Sequence, residues 1–227
     1  MKYDSNISHS AFDLCGTLVS ENTTFGFVVY YYYRKRNWYK YIKARAMLSF
    51  PIKILMFLVN RVGIPFSGRN YYLGMLRGES KRDITEIAID YAAILKEKYL
   101  NDCVYERFQK AKKNGHQITI LSASIEPVVS AFSQIIGSDN DYSTKLRYDN
   151  EGFIGFLHPE DDTQGNKSQF IKIDCYNFFA TDNMDDRDII SISNKCLIVT
   201  KKKNLEKWKV IISEISAEEK VEYYVKK

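Results

Sequence analysis

Four polar segments, each at the end of an apolar stretch, contain residue types that can bind or attack a phosphate group. They are residues 12–18, 120–124, 165–167 and 181–186. Their carboxylates suit a hard cation such as Mg²⁺, which prefers oxygen ligands, and a carboxylate can act as a nucleophile toward a phosphate. A lysine among them can oppose the negative charge that develops during such a reaction. Taken singly, each residue also fits a turn, a helix cap or a solvated surface, so the hypothesis of phosphoryl chemistry depends on the ordered set.

The elements predicted around these segments explain how they could meet. Strands are predicted where short apolar and β-branched runs occur, at residues 11–12, 117–121, 176–181 and 196–199. Helices are predicted from spacings of three and four at residues 83–99, 104–114, 125–136 and 167–173, and a hairpin at 146–156. From about residue 100 onward strands and helices alternate, which predicts a parallel sheet with covering helices. Ligands bind at the carboxyl ends of such strands.

The region between the first strand and this alternating part has an unusual charge distribution. Residues 22–78 contain no Asp or Glu but ten Lys and Arg, so the rest of the chain sums to −5 within a net charge of +5. Residues 23–49 are aromatic and basic with plausible helical periodicity, and Pro51 ends that run. The apolar run 52–64 is shorter than the roughly 20 residues that cross a bilayer, which predicts a buried or interfacial helix. This face is predicted to meet an anionic partner or to be solvated.

The bulk composition limits the class of protein. The 227 residues are 45% hydrophobic, which is enough for a globular core and argues against extensive disorder. The four cysteines contain no Cys-x-x-Cys pair, so neither a zinc knuckle nor a disulfide framework is indicated. No charged and then apolar leader begins the sequence, and we therefore expect a reducing, cytoplasmic setting.

In their order and spacing, the four segments resemble the four signature motifs of the haloacid dehalogenase superfamily. The likeness covers residues 8–20 and 104–200, and the helical insert and the hairpin before Lys167 resemble the phosphoserine-phosphatase-like branch. The resemblance implies an α/β fold with a Rossmann-like parallel-sheet core, formed by residues 1–21 and 101–227. It also implies an inserted α-helical cap domain, residues 22–100.

The resemblance also implies roles for individual residues. Asp13 would be the nucleophile that forms an aspartyl-phosphate, and Lys167 would complete the catalytic charge arrangement. Mg²⁺ would be held by Asp13, the backbone carbonyl of Cys15, Asp182 and Asp186, with Asp186 contacting either Lys167 or a metal-bound water. The implied phosphate-binding residues are Gly16, Thr17, Ser122, Ala123, Lys167 and Asn183.

Cys15 departs from the family pattern, in which this position is usually a second Asp that acts as general acid and base. A thiol with a pKa near 8.5 is a poor proton donor to a leaving alkoxide, and general acid–base catalysis contributes about 10²–10⁴ in rate. Three interpretations stay open: a slow or specialised phosphatase, a non-catalytic descendant, and a variant of an active enzyme.

The function predicted first is a Mg²⁺-dependent phosphomonoester hydrolase acting on a phosphorylated small molecule or a lipid-linked phosphate. The alternative is a non-catalytic protein that binds a phosphorylated ligand or a membrane surface. An anionic membrane would contact the basic and aromatic face of the cap, with the protein peripheral at the inner face. Nucleic acid is not expected, because the long aliphatic run has no use there. The sequence names neither the substrate nor the oligomeric state.

Overall fold

The computed structural model describes residues 7–49, 67–171 and 173–226, together with the single positions 52, 54 and 61. These residues form a six-stranded sheet in the order β3-β2-β1-β6-β7-β8, in which all neighbouring strands are parallel. A two-stranded antiparallel hairpin, β4-β5, lies apart from it. The strands are β1 (His9–Asp13), β2 (Gln117–Ile125), β3 (Asn140–Thr144), β4 (Tyr148–Asp149), β5 (Gly152–Phe153), β6 (Phe178–Thr181), β7 (Cys196–Lys201) and β8 (Val221–Lys226). The predicted Rossmann-like α/β core is confirmed.

Helices cover the sheet, and an additional helical region, residues 23–49 and 67–98, follows β1 along the chain. The helices of the helical region are α1 (Thr23–Arg34), α2 (Trp38–Met47), α3 (Gly68–Met75) and α4 (Lys81–Lys98). The helices that follow are α5 (Asp102–Lys113), α6 (Glu126–Ile136), α7 (Arg187–Ser191) and α8 (Leu205–Glu214). No helix in the described part of the chain is long and apolar enough to cross a membrane.

Local side-chain chemistry explains where these helices begin. Asn22 accepts a hydrogen bond from the Phe25 backbone N–H at the start of α1, and Ser80 does the same for Asp83 at the start of α4. The predicted helical run 23–49 is interrupted between α1 and α2. There Arg36 has a φ of +53°, and Asn37 begins α2 by accepting from the Lys40 N–H.

One buried hydrophobic cluster joins the helical region to the sheet. It contains Phe12 from β1 and Phe108 from α5, whose ring centroids are 5.3 Å apart, and also Phe27, Tyr31 and Leu95 of the helical region. The apolar face of α4 packs against α6. Burial of this continuous apolar surface, at about 25 cal/mol per Å², fixes the helical region against the carboxyl ends of the strands.

The β4-β5 hairpin adds a backbone connection between the two parts. The Gly78 N–H donates to the Phe153 carbonyl at 2.9 Å, and the Phe153 N–H donates to the Glu79 carbonyl at 3.0 Å. Gly152 has a φ of +116°, and a Cβ there would lie 2.7 Å from the backbone carbonyl oxygen of Glu79. Glycine is therefore required by both conformation and space, which confirms the predicted hairpin and explains its glycine.

Two expectations about elements need correction, and a third falls mostly outside the described residues. The helix predicted over 167–173 is wrong: only a 3₁₀ turn, Lys167–Phe170, forms, because no side chain caps its start and Ile171 is already extended. The strand at 196–199 is not the last one, since β8 follows it. The strand β8 was overlooked because charged residues interrupt its apolar ones and it lies at the sheet edge. Most of the helix predicted over 52–64 lies outside the described residues.

Candidate active site

The carboxyl ends of β1, β6, β7 and β8 surround an open cavity of about 410 Å³. Of the residues predicted for the site, seven line this cavity: Asp13, Cys15, Gly16, Ala123, Lys167, Asp182 and Asn183. Thr17, Ser122 and Asp186 lie behind the lining and are buried. Adjacency of β1 and β6 explains this convergence, because their parallel register places Asp13 and Asp182 at the same sheet edge.

Lys167 is the buried cation of the site. Its Nζ donates to Asp13 Oδ1 at 2.7 Å and to Asp186 Oδ2 at 2.9 Å, and all three side chains are at most 5% exposed. Burial alone would lower the pKa of Lys167, but the two carboxylates reverse that effect and raise it. The ammonium group therefore stays charged and fixes both carboxylates.

The acidic groups around Lys167 are held at raised pKa values. Burial raises the pKa of Asp13, with a further contribution from Asp182, while Lys167 opposes both effects. Burial likewise raises the pKa of Asp186 to about 6, although Lys167 and the Thr181 hydroxyl stabilise its charged form. Burial is the main cause of both raised pKa values, and a bound cation would offset it by stabilising the charged carboxylates.

Asp13 and Asp182 are the carboxylates best placed for a divalent cation. The Thr17 hydroxyl lies 3.1 Å from Asp13 Oδ2 and 3.4 Å from Asp182 Oδ1, so one side chain spans both acids. Gly16 has a φ of +74°, and a Cβ there would fall 2.0 Å from Asp182 Oδ2. The loop after β1 thus packs directly on this carboxylate. These oxygens, with the backbone carbonyl of Cys15, fit the oxygen preference of Mg²⁺.

Asp186 has a different environment from the other two acids. Its Oδ2 accepts hydrogen bonds from Lys167 and from the Thr181 hydroxyl, the latter at 2.6 Å. Both bonds satisfy the same oxygen and orient the carboxylate toward the lysine. Of the two roles expected for Asp186, contact with Lys167 is therefore the one visible in the geometry, and its role toward a metal stays a prediction.

Cys15 lies in a set of hydroxyl groups. Its thiol is hydrogen-bonded to the Thr23 hydroxyl, which donates to the Ser124 hydroxyl at 2.7 Å. Burial raises the pKa of the Cys15 thiol, and the nearby Asp13 raises it further. The thiol is consequently protonated near neutral pH, and nothing at this position supplies a ready base.

The second segment, residues 120–124, differs from its predicted form. Ala123 was expected at a helix start, but β2 continues to Ile125 through a register shift, and α6 begins only at Glu126. Between the pairs Leu121–Tyr142 and Ile125–Thr144, β2 has three residues where β3 has one, so β2 extends further before α6 can begin. Ser122 is fully buried, and its hydroxyl accepts from the Ser124 N–H at 3.1 Å. Its predicted contact with phosphate stays a prediction.

Asn183 lines the cavity and also shapes the loop after β6. Its N–H donates to the Thr181 hydroxyl at 3.0 Å, and its side-chain oxygen accepts from the Asp185 N–H at 3.1 Å. These bonds start the short turn that leads to Asp186. Binding of phosphate by Asn183 stays a prediction.

Three residues near the site escaped the sequence reasoning. Arg69 of α3 donates to both carboxylate oxygens of Asp162 at 2.7 Å and to the Ala123 carbonyl at 2.7 Å, which ties the helical region to the second segment. Lys201 and Lys226, at the ends of β7 and β8, line the cavity. The rule that ligands bind at strand carboxyl ends would have indicated both lysines, had β8 been predicted.

Comparisons with known proteins agree with this geometry. The family model described as haloacid dehalogenase-like hydrolase matches residues 11–188. A comparison with curated proteins finds no match.

Solved structures show the same fold at low identity. A protein of unknown function from Bordetella pertussis Tohama I is 12% identical with a TM-score of 0.68, covering 91% of this chain and 96% of that one. A phosphoserine phosphatase, solved as a phospho-aspartyl intermediate analogue, is 11% identical with a TM-score of 0.54, covering 97% and 94%. A phosphoserine phosphohydrolase-like protein from Francisella tularensis subsp. tularensis SCHU S4 is 16% identical with a TM-score of 0.56, covering 85% and 87%. Because the family model spans most of its length, the chain belongs to the haloacid dehalogenase-like hydrolase family.

Proposed function

We propose that this protein is a Mg²⁺-dependent phosphomonoester hydrolase with Asp13 as its nucleophile. The observation that supports this most directly is the buried contact of Lys167 with Asp13, beside Asp182 and at the floor of an open cavity. Phosphatase-type relatives with the same fold add support. The substrate class is a phosphorylated small molecule or a lipid-linked phosphate. We further propose that residues 22–100 are a cap domain that limits access to the cavity.

The chemistry assigned to the protein's own residues has two steps. A carboxylate oxygen of Asp13 attacks phosphorus as the ester P–O bond breaks, and the bond electrons leave with the alkoxide, which takes a proton from water. Water then cleaves the aspartyl-phosphate, releasing phosphate and restoring Asp13. Lys167 stays protonated throughout and holds the Asp13 carboxylate in place while charge develops nearby.

Asp13, Asp182 and the Cys15 carbonyl would hold Mg²⁺, with Asp186 in support through Lys167. When bound, the ion would neutralise phosphate oxygens and so reduce their repulsion of the nucleophile. Burial raises the pKa of Asp13 and of Asp182, and a bound cation would favour the charged form of both.

Cys15 makes the proposed hydrolase slow on esters with poor leaving groups. Its thiol has a raised pKa and so is a weak acid toward a leaving alkoxide. By turning its hydrogen from Ser124, the Thr23 hydroxyl beside the thiol would donate to a carboxylate at this position. Substituting Cys15→Asp should therefore place an acid where the site can orient it.

The test measures phosphate release with Mg²⁺ from p-nitrophenyl phosphate and from small and lipid-linked phosphate monoesters. We expect slow release by the natural protein and an increase of about 10²–10⁴ for Cys15→Asp on esters with poor leaving groups. Cys15→Asn is the matched control, since it has similar size but no proton to give. Asp13→Asn should abolish release in both backgrounds. Absence of release from all esters even with Cys15→Asp would overturn the proposal.

A second candidate function, binding to an anionic membrane surface, is favoured by α2. Its exposed side chains include Trp38 (54%), Tyr39 (77%) and Ile42 (63%), and exposed Lys43 and Arg45 lie on the same helix. Exposed aromatic and basic residues on one helix suit the headgroup region of a bilayer that contains anionic lipids. The free state of all four cysteines supports a reducing compartment. We place such binding at the cytoplasmic face of a membrane.

Co-sedimentation with vesicles of phosphatidylcholine, with and without phosphatidylglycerol, tests this second function. We expect pelleting at low salt only with the anionic lipid, and loss of pelleting in Trp38→Ala/Tyr39→Ala. Val210→Ala is the control, because Val210 is similarly exposed at 59% but lies on α8. Failure of the natural protein to pellet with anionic vesicles would exclude this function without affecting the hydrolase proposal.

A further inference from the structure

Two lysines stand side by side at the edge of the candidate active site. Lys201 and Lys226 are the last register pair of the β7-β8 ladder, so they are direct neighbours at the carboxyl end of the sheet. Like charges placed opposite one another in a sheet are unfavourable unless something compensates them. Both residues line the cavity that contains Asp13 and Asp182, and the Lys226 ammonium donates to the Gly16 carbonyl.

A second cavity of about 230 Å³ adjoins the first and has a basic lining. Lys201, Lys226 and Asp182 line both cavities, and Lys203 and Asn204 line only the second. In the described part of the chain, neither Lys201 nor Lys203 has a carboxylate oxygen within 4 Å of its ammonium nitrogen. The lining therefore presents three ammonium groups and one carboxylate, and that carboxylate is a proposed metal ligand.

Lys226 has charged neighbours of both signs. Burial lowers the pKa of Lys226, and the nearby Lys201 lowers it further, while Asp182 and Asp13 oppose these effects. Lys226 has Asp182 as an acidic neighbour, whereas Lys201 and Lys203 line the same cavity without an ion pair to any described carboxylate. An anion between the lysines would remove the repulsion and use all three.

We propose that Lys201, Lys203 and Lys226 form a subsite for a second anionic group of the substrate. The inference rests on the proposed hydrolase function, in which the phosphate to be cleaved lies against Asp13. Because the two cavities share Lys201 and Lys226, one small molecule can occupy both. The substrates assigned to this site are phosphomonoesters that carry a second phosphate or a carboxylate.

Two matched pairs of probes test the subsite and separate its two kinds of ligand. Glucose 1,6-bisphosphate against glucose 1-phosphate reports on a second phosphate, and 3-phosphoglycerate against glycerol 3-phosphate reports on a carboxylate. The quantity compared is the ratio of kcat/KM within each pair, measured with Mg²⁺. We expect the probe with the second anionic group to be favoured by about tenfold in at least one pair, the size typical of a hydrogen bond to a charged group.

The decisive variant is Lys201→Gln/Lys203→Gln, because both side chains are exposed and their loss leaves the core intact. It should reduce the favoured ratio to near one. Lys202→Gln is the matched control, since Lys202 is an exposed neighbour that lines neither cavity. A ratio near one in the natural protein, or an equal loss of preference in Lys202→Gln, would overturn the subsite.

Binding measurements distinguish failure of the subsite from failure of the hydrolase proposal. The same four probes are titrated calorimetrically into the full chain with Mg²⁺ and without any need for turnover. If no ester is hydrolysed, even by Cys15→Asp, the hydrolase proposal fails. If the probe with the second anionic group binds more tightly and Lys201→Gln/Lys203→Gln removes that preference, the subsite is still supported. Equal binding within both pairs would refute it.

Discussion

Lys167 and Asp13 are 154 positions apart in the chain, yet the Lys167 Nζ lies 2.7 Å from Asp13 Oδ1 in a buried ion pair. Such a pair is costly to desolvate, and its net contribution to folding is often small. Its position at the carboxyl ends of the strands, where parallel sheets bind ligands, is the one that the proposed nucleophile requires. Removing one partner should strongly destabilise the fold, because the other charge is then left buried and unpaired.

Lys167→Met should destabilise the fold by about 3–5 kcal/mol at about pH 7, because it leaves Asp13 and Asp186 without their buried cation. The loss should be smaller at about pH 5. Without the lysine, both carboxylates bind protons more readily in the folded than in the unfolded chain, so the variant gains stability as pH falls. Urea unfolding of the metal-free protein at the two pH values measures this. Exposed Lys202→Met is the control, and a Lys167→Met deficit below about 1 kcal/mol would contradict the buried-charge argument.

Gly16→Ala should be more damaging than Gly115→Ala. Gly16 and Gly115 have similar φ angles, +74° and +78°, so alanine costs each about 1–2 kcal/mol through backbone strain alone. Only at Gly16 would the new Cβ also meet Asp182 Oδ2, at 2.0 Å, whereas nothing lies within 4 Å at Gly115. We expect a further loss of about 1–3 kcal/mol from this overlap.

Thermal or urea unfolding of the two alanine variants separates strain from overlap. Mg²⁺-dependent stabilisation should also be reduced in Gly16→Ala but not in Gly115→Ala, because only the former displaces Asp182. Equal unfolding free energies for the two variants would show that the loop after β1 accommodates the added Cβ without loss of stability.

Arg69→Met should loosen the helical region from the second segment of the site. Arg69 is only 12% exposed, and its guanidinium contacts Asp162, the Ala123 carbonyl and the Thr144 hydroxyl. Hydrogen bonds to charged groups contribute about 1.5–3 kcal/mol each when a buried partner is stranded. Hydrogen exchange should quicken first in α3, ahead of β1 and β2. Arg82→Met is the comparison, because the Arg82 pair with Glu86 is exposed, and matching behaviour of the two variants would argue against a structural role for Arg69.

The sequence predicted the parallel core well because its strands are buried, apolar and regularly separated by helices. Ala11 and Phe12 are fully buried in β1, and Ile118 and Ile120 in β2, so the apolar pattern carries the information. The convergence of Asp13, Lys167 and Asp182 could be anticipated only through the family resemblance and the strand-end rule. Nothing local to Lys167 indicates that its side chain is buried.

The parts that escaped prediction depend on tertiary contacts. The strand β8 contains Glu222 and Lys226 among its apolar and aromatic residues and lies at the sheet edge, so its sequence resembles a solvated tail. Without β8, Lys226 could not be placed beside Lys201. Arg69 likewise appeared as one of ten positive charges, and only the packing of α3 shows that it is paired with Asp162 rather than free for an external anion.

Cys15 should react slowly with iodoacetamide, although it lines the open cavity. Burial and the neighbouring Asp13 raise the pKa of its thiol, so the reactive thiolate is scarce near pH 7. Exposed Cys175 should be labelled first, and labelling of Cys15 should accelerate as pH rises toward its raised pKa. Asp13→Asn removes the negative neighbour and should speed Cys15 labelling at constant pH.

Peptide mapping by mass spectrometry follows each cysteine, and the urea-unfolded chain, in which all thiols are accessible, is the control. Labelling of Cys15 faster than Cys175 near pH 7 would mean that the Cys15 thiolate is stabilised. That result would favour a nucleophilic role for Cys15 over the protonated, unreactive thiol described above.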